Sequence, residues 1–406
     1  MQTELAARFS GVPEGVEADQ ILRACVHCGF CTATCPTYRL LGDERDSPRG
    51  RIYLIKNLLE GHEPSGRTQL HLDRCLGCRG CETTCPSGVR YGRLLDIGRE
   101  TIERQVQRPL LDRLQRWLIL KVLPDPDRFA PPLRAAQLLR PLLPARLRRR
   151  IPPRAAAGTW PDGRHHRRML LVDGCVQPLT APSINAAAAR VLDKLGIGVI
   201  RASGCCGALA YHLPKREAGL AAMRRNIDAW LPMLDQGCEA IVATASGCGL
   251  MVKEYGQALR HDPAYAAKAA RISAMVFDLA EILAREDLTP LRATPALRLA
   301  CHIPCTLQHG QGIRGLVERI LSDLGFTLTE ATDGETCCGS AGSYSLLQPD
   351  LSSRLLALKL DALHASAPDN IVTANIGCLL HLQSGTDTPV RHWIEAVDAA
   401  LPPTLS

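Results

Sequence analysis

The sequence predicts a mixed, multi-domain chain. A mostly helical N-terminal domain built around two groups of cysteines is followed by two duplicated α/β units with parallel sheets. Three observations carry this. Cysteine runs at 25–35 and 75–85 repeat one spacing 50 residues apart. Beyond Arg168, short apolar runs alternate with helical patterns, which is the signature of βαβ units. Within that second half the cysteines recur in the same order, so a unit over 169–290 is followed by one over 291–406. The cysteine-run domain takes 1–108 and a linker takes 109–168.

The first run is Cys25-Val-His-Cys28-Gly-Phe-Cys31-Thr-Ala-Thr-Cys35-Pro36, and the second is Cys75-Leu-Gly-Cys78-Arg-Gly-Cys81-Glu-Thr-Thr-Cys85-Pro86. Both read C-x2-C-x2-C-x3-C-P, the spacing of bacterial two-cluster ferredoxins. Three thiolates at steps of three curl round one cubane [4Fe-4S] cluster, and the fourth is carried away to ligate the other. One cluster is therefore assigned to Cys25, Cys28, Cys31 and Cys85, and the second to Cys75, Cys78, Cys81 and Cys35. Crossed ligation makes the clusters neighbours, close enough for electron hopping. Pro36 and Pro86 fix φ as the chain leaves each site, and Gly29, Gly77 and Gly80 admit close backbone approach. A zinc site on two C-x2-C pairs would leave four of these cysteines without a role.

The totals bound the rest. At 406 residues the chain holds two or three domains. With 46% hydrophobic residues it can bury a sizeable core. Eighteen cysteines in so long a chain are not a secreted disulfide scaffold. Met1 to Gly15 lacks an apolar signal core, so the expected compartment is the reducing cytoplasm. No apolar run is long enough to cross a bilayer; the longest candidate, Trp117 to Leu123, is broken by Lys121. The net charge of +7 is uneven: Arg128 to Arg168 holds eleven Arg, no Lys and one acid, Asp162, so +10 sits there and −3 elsewhere. Nucleic acid is not the expected partner, because aromatics are only 4% of the chain and no reader motif appears.

In chain order, residues 1–24 form a lead-in helix with Ile21 and Leu22 packing before the first cysteine loop. Ser47-Pro48-Arg49-Gly50 is a helix start with Pro48 in the first position, followed by Ile52, Leu54, Ile55, Leu58 and Leu59 at helical spacing. Leu94 to Arg108 is a further helical pattern. Arg45, Arg49, Arg51, Arg74 and Arg79 fall near the cluster loops. They form either a solvated face or a positive environment that raises cluster potential. Prolines 124, 126, 131, 132, 141, 144, 152 and 153 are expected to chop 109–168 into short pieces. There Leu138, Leu139, Leu142, Leu143 and Leu147 sit among Arg140, Arg146, Arg148, Arg149 and Arg150. Three readings fit this segment: contact with an anionic membrane surface, cover for an acidic partner, or a solvated connector.

The duplicated half begins with a strand at 169–172, a helix at 185–195 and a strand at 198–200. Unit one places Cys175 after a strand, then Gly204-Cys205-Cys206-Gly207, a helix to Trp230, a strand at 240–243 and Ser246-Gly-Cys248-Gly249. Unit two has a strand at 297–300, Cys301-His302-Ile-Pro304-Cys305, then Thr336-Cys337-Cys338-Gly339, a helix over 351–363, a strand at 371–373 and Asn375-Ile-Gly-Cys378. Each cysteine group follows strands, so each converges at the C-terminal edge of its sheet. Cys238 precedes a strand and falls at the opposite edge. Gly310-Gln-Gly312-Ile-Arg-Gly315 matches G-x-G-x-x-G but lacks the tight strand-to-helix turn that dinucleotide binding needs.

Paired ferredoxin runs followed by two CCG repeats resemble the iron–sulfur subunits of quinone-linked flavin dehydrogenases, relatives of heterodisulfide reductase. Ala24 to Tyr38, Ser47 to Lys56, Thr306-Leu-Gln-His309 and Thr373 to Cys378 bring the resemblance to the glycolate oxidase (glycolate dehydrogenase) iron–sulfur subunits. The resemblance implies an electron-transfer subunit with no catalytic, flavin or substrate site of its own. It would carry electrons from a separate flavin subunit, which oxidises glycolate to glyoxylate, towards membrane quinone. It also implies a cytoplasmic location, peripheral on the inner face of the cell membrane. Lactate and glycerol-3-phosphate dehydrogenase subunits, and heterodisulfide-reductase-like subunits, are the alternatives. A non-redox scaffold using its clusters structurally is the reading from another class. In the heterodisulfide reductase relatives the repeats end in C-x2-C. Here they end in Cys248-Gly-Leu-Met251 and Cys378-Leu-Leu-His381. Cys175, Cys205, Cys206 and Cys248, or Cys305, Cys337, Cys338 and Cys378 with His381 nearby, therefore either hold a further cluster or pack as small hydrophobes. Cys301, His302 and His381 are extra candidates in unit two, which is taken as the functional copy.

Overall fold

The structure, a computed structural model, describes residues 1–162, 165–293, 296–332 and 334–401. The cluster domain is helical. Its first long helix, Pro13–Ala24, buries Ile21 and Leu22. Ser47 caps the helix Pro48–Leu59 by accepting from the Gly50 amide at 2.9 Å, with Pro48 in the first turn. Ile52, Ile55, Leu58 and Leu59 face inward there, against Leu94, Leu95 and Ile102 of the helix Tyr91–Gln105. Burying each such side chain contributes about 1.5–3 kcal/mol.

The linker differs from expectation. Residues 109–151 are largely helical, as Leu110–Val122, Pro126–Leu139 and Ala145–Arg150. Asp125 caps the second of these, and Pro131 and Pro132 lie inside it. Their fixed φ is already helical, and the carbonyls they leave unbonded belong to the first turn, next to water. The side chain of Arg146 lies outside the described residues, as do Gly163 and Arg164 of the Arg-rich stretch.

Each α/β unit carries a four-stranded parallel sheet. The first comprises β1 (Arg167–Gly174), β2 (Ile197–Ser203), β3 (Ile241–Ala243) and β4 (Val276–Asp278), in the order β2-β1-β3-β4. The second comprises β5 (Arg298–His302), β6 (Thr327–Thr329), β7 (Asn370–Thr373) and β8 (Val390–His392), in the order β6-β5-β7-β8. The identical topology supports duplication. β4, β6 and β8 are three residues each, too short for a periodic signal. The segment Gly310–Gly315 follows no strand directly: β5 ends at His302, and a π-helical turn over Thr306–Gly310 intervenes.

The two units share one core, in which Leu171 and Val242 of the first sheet join Leu299 and Val372 of the second. Their C-terminal strand edges face each other. The Ser246 amide donates to the Ala374 carbonyl at 3.0 Å, and His392 Nε2 donates to the Thr244 carbonyl at 2.8 Å. His392 is fully buried, and its Nδ1 accepts from the Ile394 amide as the cap of the last helix.

Burial pushes the His392 imidazole down to about 4, from 6.5. The neutral form favours the fold, so its contribution is complete above the unfolded value and is lost as pH falls from 6.5 towards 4. The loss reaches about 3 kcal/mol. Urea unfolding at pH 7.5 and 5 should show it, and His392→Asn, which retains a capping oxygen but cannot titrate, should lose less between those pH values. An equal loss in both proteins would remove His392 as the cause.

Candidate functional site

The two cysteine loops share one backbone design. The second intervening residue of each first C-x2-C, His27 and Gly77, is left-handed, with φ of 57° and 65°. The residue after the second cysteine, Gly29 and Arg79, is left-handed too, at 87° and 60°. Two of these four positions lack glycine, and such strain persists where the surrounding structure fixes it, commonly at functional sites. Left-handed turns aim amides inward; the Gly77 amide donates to Cys75 Sγ at 3.4 Å. Gly80 serves another purpose than expected: it opens a short helix and lies beside His309 of unit two.

One pocket gathers Cys25, Cys28, Cys31 and Cys85, with Cys81 of the second run also on its wall beside Arg49, Tyr91 and the first loop. Cys85 from the second run thus joins the three leading cysteines of the first. The converse holds in the second group. After burial, the neighbours that push Cys78 up are Cys305, then Cys75 and Cys35, and those acting on Cys81 include Cys78, Cys75 and Cys35. Burial pushes Cys31 up to about 11. Thiols held up in this way are poor nucleophiles, and a bound cation supplies the charge that makes them thiolates. The donor set, eight cysteines in two interleaved fours, fits two cubane clusters.

The two groups differ in their surroundings. Cys28 is exposed, flanked by exposed Val26 and Phe30. Cys35, Cys75 and Cys81 are buried. Behind Cys35 lies Arg51, which is fully buried. Arg51 donates to Thr37 Oγ1 at 3.1 Å, to Asp46 at 3.2 Å and to Cys35 Sγ at 3.9 Å. Asp46 also binds His71 and Arg74, each at 3.0 Å. Tyr91 Oη donates to Cys75 Sγ at 3.5 Å. Hydrogen bonds and positive charge at the sulfurs raise cluster potential. Of the five arginines near the loops, Arg51 has this role, whereas Arg45 is solvated on Asp43. Arg79 instead ties the cluster domain to Glu254 of unit one.

In each α/β unit four thiols form a chain in the order expected from the repeat. Cys175 meets Cys205, Cys205 meets Cys206, and Cys206 meets Cys248. Hydrogen bonds from Cys175 and then Cys206 pull Cys205 down, while the bond to Cys205 and then burial push Cys175 up. In unit two Cys305 lies 3.9 Å from Cys337, Cys337 meets Cys338, and Cys338 meets Cys378. A ring nitrogen of His302, Cys338 Sγ and Cys378 Sγ all lie within 4.8 Å of one another. Burial holds the His302 imidazole down to about 3. Two other candidates fall away. His381 Nε2 pairs with Ser352 Oγ at 3.1 Å. Cys301, adjacent to His302 on β5, turns to the other face of the sheet, towards Glu318, where burial pushes it up to about 12. Cys238 is buried at the start of β3, at the far edge from the other thiols.

The cluster domain lies across both units. Arg93 reaches Tyr211 at 3.3 Å and Arg260 reaches Glu17 at 2.7 Å on unit one. On unit two, Thr83 meets His309 at 3.0 Å and Tyr344 Oη donates to the Arg74 carbonyl at 3.1 Å. Local sequence carried no signal for the approach of Cys78 to Cys305.

Comparison with known proteins accords with these sites. Residues 21–89 match the 4Fe-4S dicluster domain family, and 169–253 and 299–383 each match the cysteine-rich domain family. The glycolate oxidase iron–sulfur subunit of Escherichia coli (strain K12) is 55% identical over 404 residues, 99% of both chains. The chain belongs to the glycolate oxidase iron–sulfur subunit family. A probable glycolate oxidase iron–sulfur subunit of Bacillus subtilis (strain 168) is 30% identical over 89% of this chain and 88% of that one. Lactate utilization protein A of Bacillus cytotoxicus is 26% identical over 55% of this chain and 96% of its own. A solved structure of a hypothetical protein from Helicobacter pylori shares the fold, with a TM-score of 0.56 over 96% of this chain and 73% of that one at 11% identity. As a member of the family, the chain is an iron–sulfur electron-transfer subunit with two [4Fe-4S] clusters.

Proposed function

We propose that this subunit takes electrons from a flavin subunit that oxidises glycolate to glyoxylate and hands them on singly towards membrane quinone. The observation that carries the proposal is the nearness of the two cysteine sets: Cys28 is exposed at the surface, Cys305 of unit two acts electrostatically on Cys78 of the second group, and Cys305 lies 3.9 Å from Cys337. A [4Fe-4S] cluster supplies reversible one-electron transfer when bound. Cys25, Cys28, Cys31 and Cys85 would hold the entry cluster, and Cys75, Cys78, Cys81 and Cys35 the second. Val26 and Phe30, exposed beside Cys28, form the apolar contact for the flavin subunit. Arg51 and Tyr91 hold the second group at higher potential, which draws electrons inward. The test is anaerobic: glycolate added to the assembled complex should bleach the visible absorption of this subunit. Phe30→Asp should slow that bleaching about tenfold, the worth of one desolvated interface anchor. Bleaching by lactate alone would favour the substrate of the more distant relatives, and no bleaching by either would end the electron-transfer reading.

Attachment to the membrane belongs to the same proposal. No helix among the described residues is long and apolar enough to cross a bilayer. However, Leu110, Leu111, Leu114, Trp117 and Leu118 share one exposed face of the Leu110–Val122 helix, opposite buried Ile119. Such a stripe, with exposed Arg113, Lys121, Arg148, Arg149 and Arg150 in the same segment, fits an anionic lipid surface. Neutralising Arg148, Arg149 and Arg150 to Gln should weaken binding to phosphatidylglycerol vesicles by about 3 kcal/mol at low salt, about 1 for each arginine. Sedimentation equal to that of the unaltered protein would leave the segment a connector.

A further inference from the structure

We infer that His309 is a positioning residue for electron transfer into unit two: its imidazole ties the loop of Cys81 and Cys85 to the loop that carries Cys337. This role rests on the electron path proposed above, and it names the side chain that holds two parts of that path in register.

The second group, as assigned above, takes Cys35 from the first run and Cys75, Cys78 and Cys81 from the second. Unit two is hydrogen-bonded to the chain beside three of these. After Cys35, Arg39 Nη1 donates to Thr336 Oγ1 at 3.2 Å, and the Leu40 carbonyl accepts from Arg354 at 3.0 Å. Beside Cys75, the Arg74 carbonyl accepts from Tyr344 Oη at 3.1 Å. Between Cys81 and Cys85, Thr83 Oγ1 lies 3.0 Å from His309 Nδ1. These contacts surround the place where Cys305 acts on Cys78.

His309 does more than join two surfaces. Its other nitrogen, Nε2, lies 3.3 Å from the Glu335 carbonyl, two residues before Cys337. One ring thus spans the distance from the second cysteine run to the Cys337 loop. Burial holds the imidazole below its ordinary value, so at neutral pH it carries one ring proton. A carbonyl can only accept, which places that proton on Nε2 and leaves Nδ1 to accept from the Thr83 hydroxyl. Arg314 Nη2 donates to the same nitrogen at 3.4 Å and backs the ring from its own loop. The ring lies against Gly80, where a Cβ would stand 3.6 Å from Nε2.

The duplication supplies a comparison. His309 stands four residues after Cys305, and Leu179 stands four after Cys175. Leucine can make neither bond. Unit one meets the second run through the long side chain of Arg79, which reaches Glu254. An arginine side chain of that length fixes the backbone of the run less closely than the short bridge from Thr83 through His309 to Glu335. The step served is the passage of one electron from the second group to unit two, with no bond made or broken and no proton taken from His309. Quinone is the final acceptor, of two electrons and two protons. The rate of such a step falls steeply as the gap widens, and a misplacement of about 1 Å can slow a reaction about a hundredfold.

The experiment compares the assembled complex with its His309→Ala and His309→Gln variants. Glycolate is added without oxygen, and then a pulse of quinone. Reoxidation of the ferredoxin clusters should be about tenfold slower in His309→Ala. Reduction by glycolate, both cluster potentials and an iron content of about eight per chain should stay as they were. Gln, with one donor and one acceptor, should recover most of the rate. Amide hydrogen exchange over residues 80–85 and 335–337 should speed up in His309→Ala and slow again in His309→Gln, a reading independent of turnover. Reoxidation as fast in His309→Ala as in the unaltered complex overturns the inference and leaves the electron-transfer reading standing, as does unchanged exchange or a slow step that comes with a shifted cluster potential. An unaltered complex whose clusters stay reduced after quinone overturns both. Should His309→Ala lose iron, Thr83→Val, which removes the partner hydroxyl and leaves the ring, decides it by the same measurements.

Discussion

Cys35→Ser should destroy the cluster of the second cysteine run and spare that of the run to which Cys35 belongs in sequence. Iron should fall from about eight to about four per chain. The thiol of Cys35 lies with Cys75, Cys78 and Cys81, while Cys85 lies with Cys25, Cys28 and Cys31. The spectrum of Cys35→Ser should therefore match that of Cys78→Ser and differ from that of Cys31→Ser. Serine in place of Cys35 also leaves Arg51, buried with Asp46 and Thr37, without its sulfur partner. Arg51 keeps its pairing with Asp46 at 3.2 Å, so its charge stays compensated and the change should read out mainly in iron content. A spectrum matching Cys31→Ser would mean that each run ligates its own cluster.

Much of this arrangement was legible in the sequence. The two C-x2-C-x2-C-x3-C-P runs carry their own spacing, and the crossed ligation that spacing implies is what the Cys35→Ser spectrum tests. The order of thiols in each α/β unit was equally readable, because each follows a strand and parallel strands deliver their ends to one edge. Other features had no local signal. The strands β4, β6 and β8 are too short to show a period. In the linker the prolines signal breaks, yet Pro131 and Pro132 lie inside the helix Pro126–Leu139, where they cost an exposed helix little. Arg51 was one of five arginines of equal standing until packing buried it alone beside Cys35. Cys301, His302 and His381 looked alike as candidates. Strand alternation turns Cys301 to the other face, Ser352 takes His381, and His302 is left facing the thiols. The meeting of Cys78 with Cys305 joins residues more than 200 positions apart, and only the tertiary fold creates it.

That meeting determines what Cys337→Ala should do. Glycolate should still reduce the two ferredoxin clusters through the flavin subunit, and quinone reduction by the complex should fall to background. Cys305 is the thiol that acts most strongly on Cys78, and Cys337 lies 3.9 Å beyond it. Cys337 in turn meets Cys338, so it joins the cluster side of unit two to the thiols deeper in its sheet. Removing its sulfur interrupts the line at a buried position where no solvent thiol can substitute. Cys205→Ala, the equivalent change in unit one, should do less. Its neighbours are Cys175 and Cys206, packed near Tyr255, whose hydroxyl donates to the Cys206 carbonyl at 2.9 Å. Spectra taken after glycolate addition without quinone, followed by quinone-reduction rates for both variants, decide the matter. Reduced clusters with no onward transfer in Cys337→Ala place the exit in unit two. Full quinone reduction by the same variant would make these thiols packing residues, and electrons would then leave from the ferredoxin clusters directly.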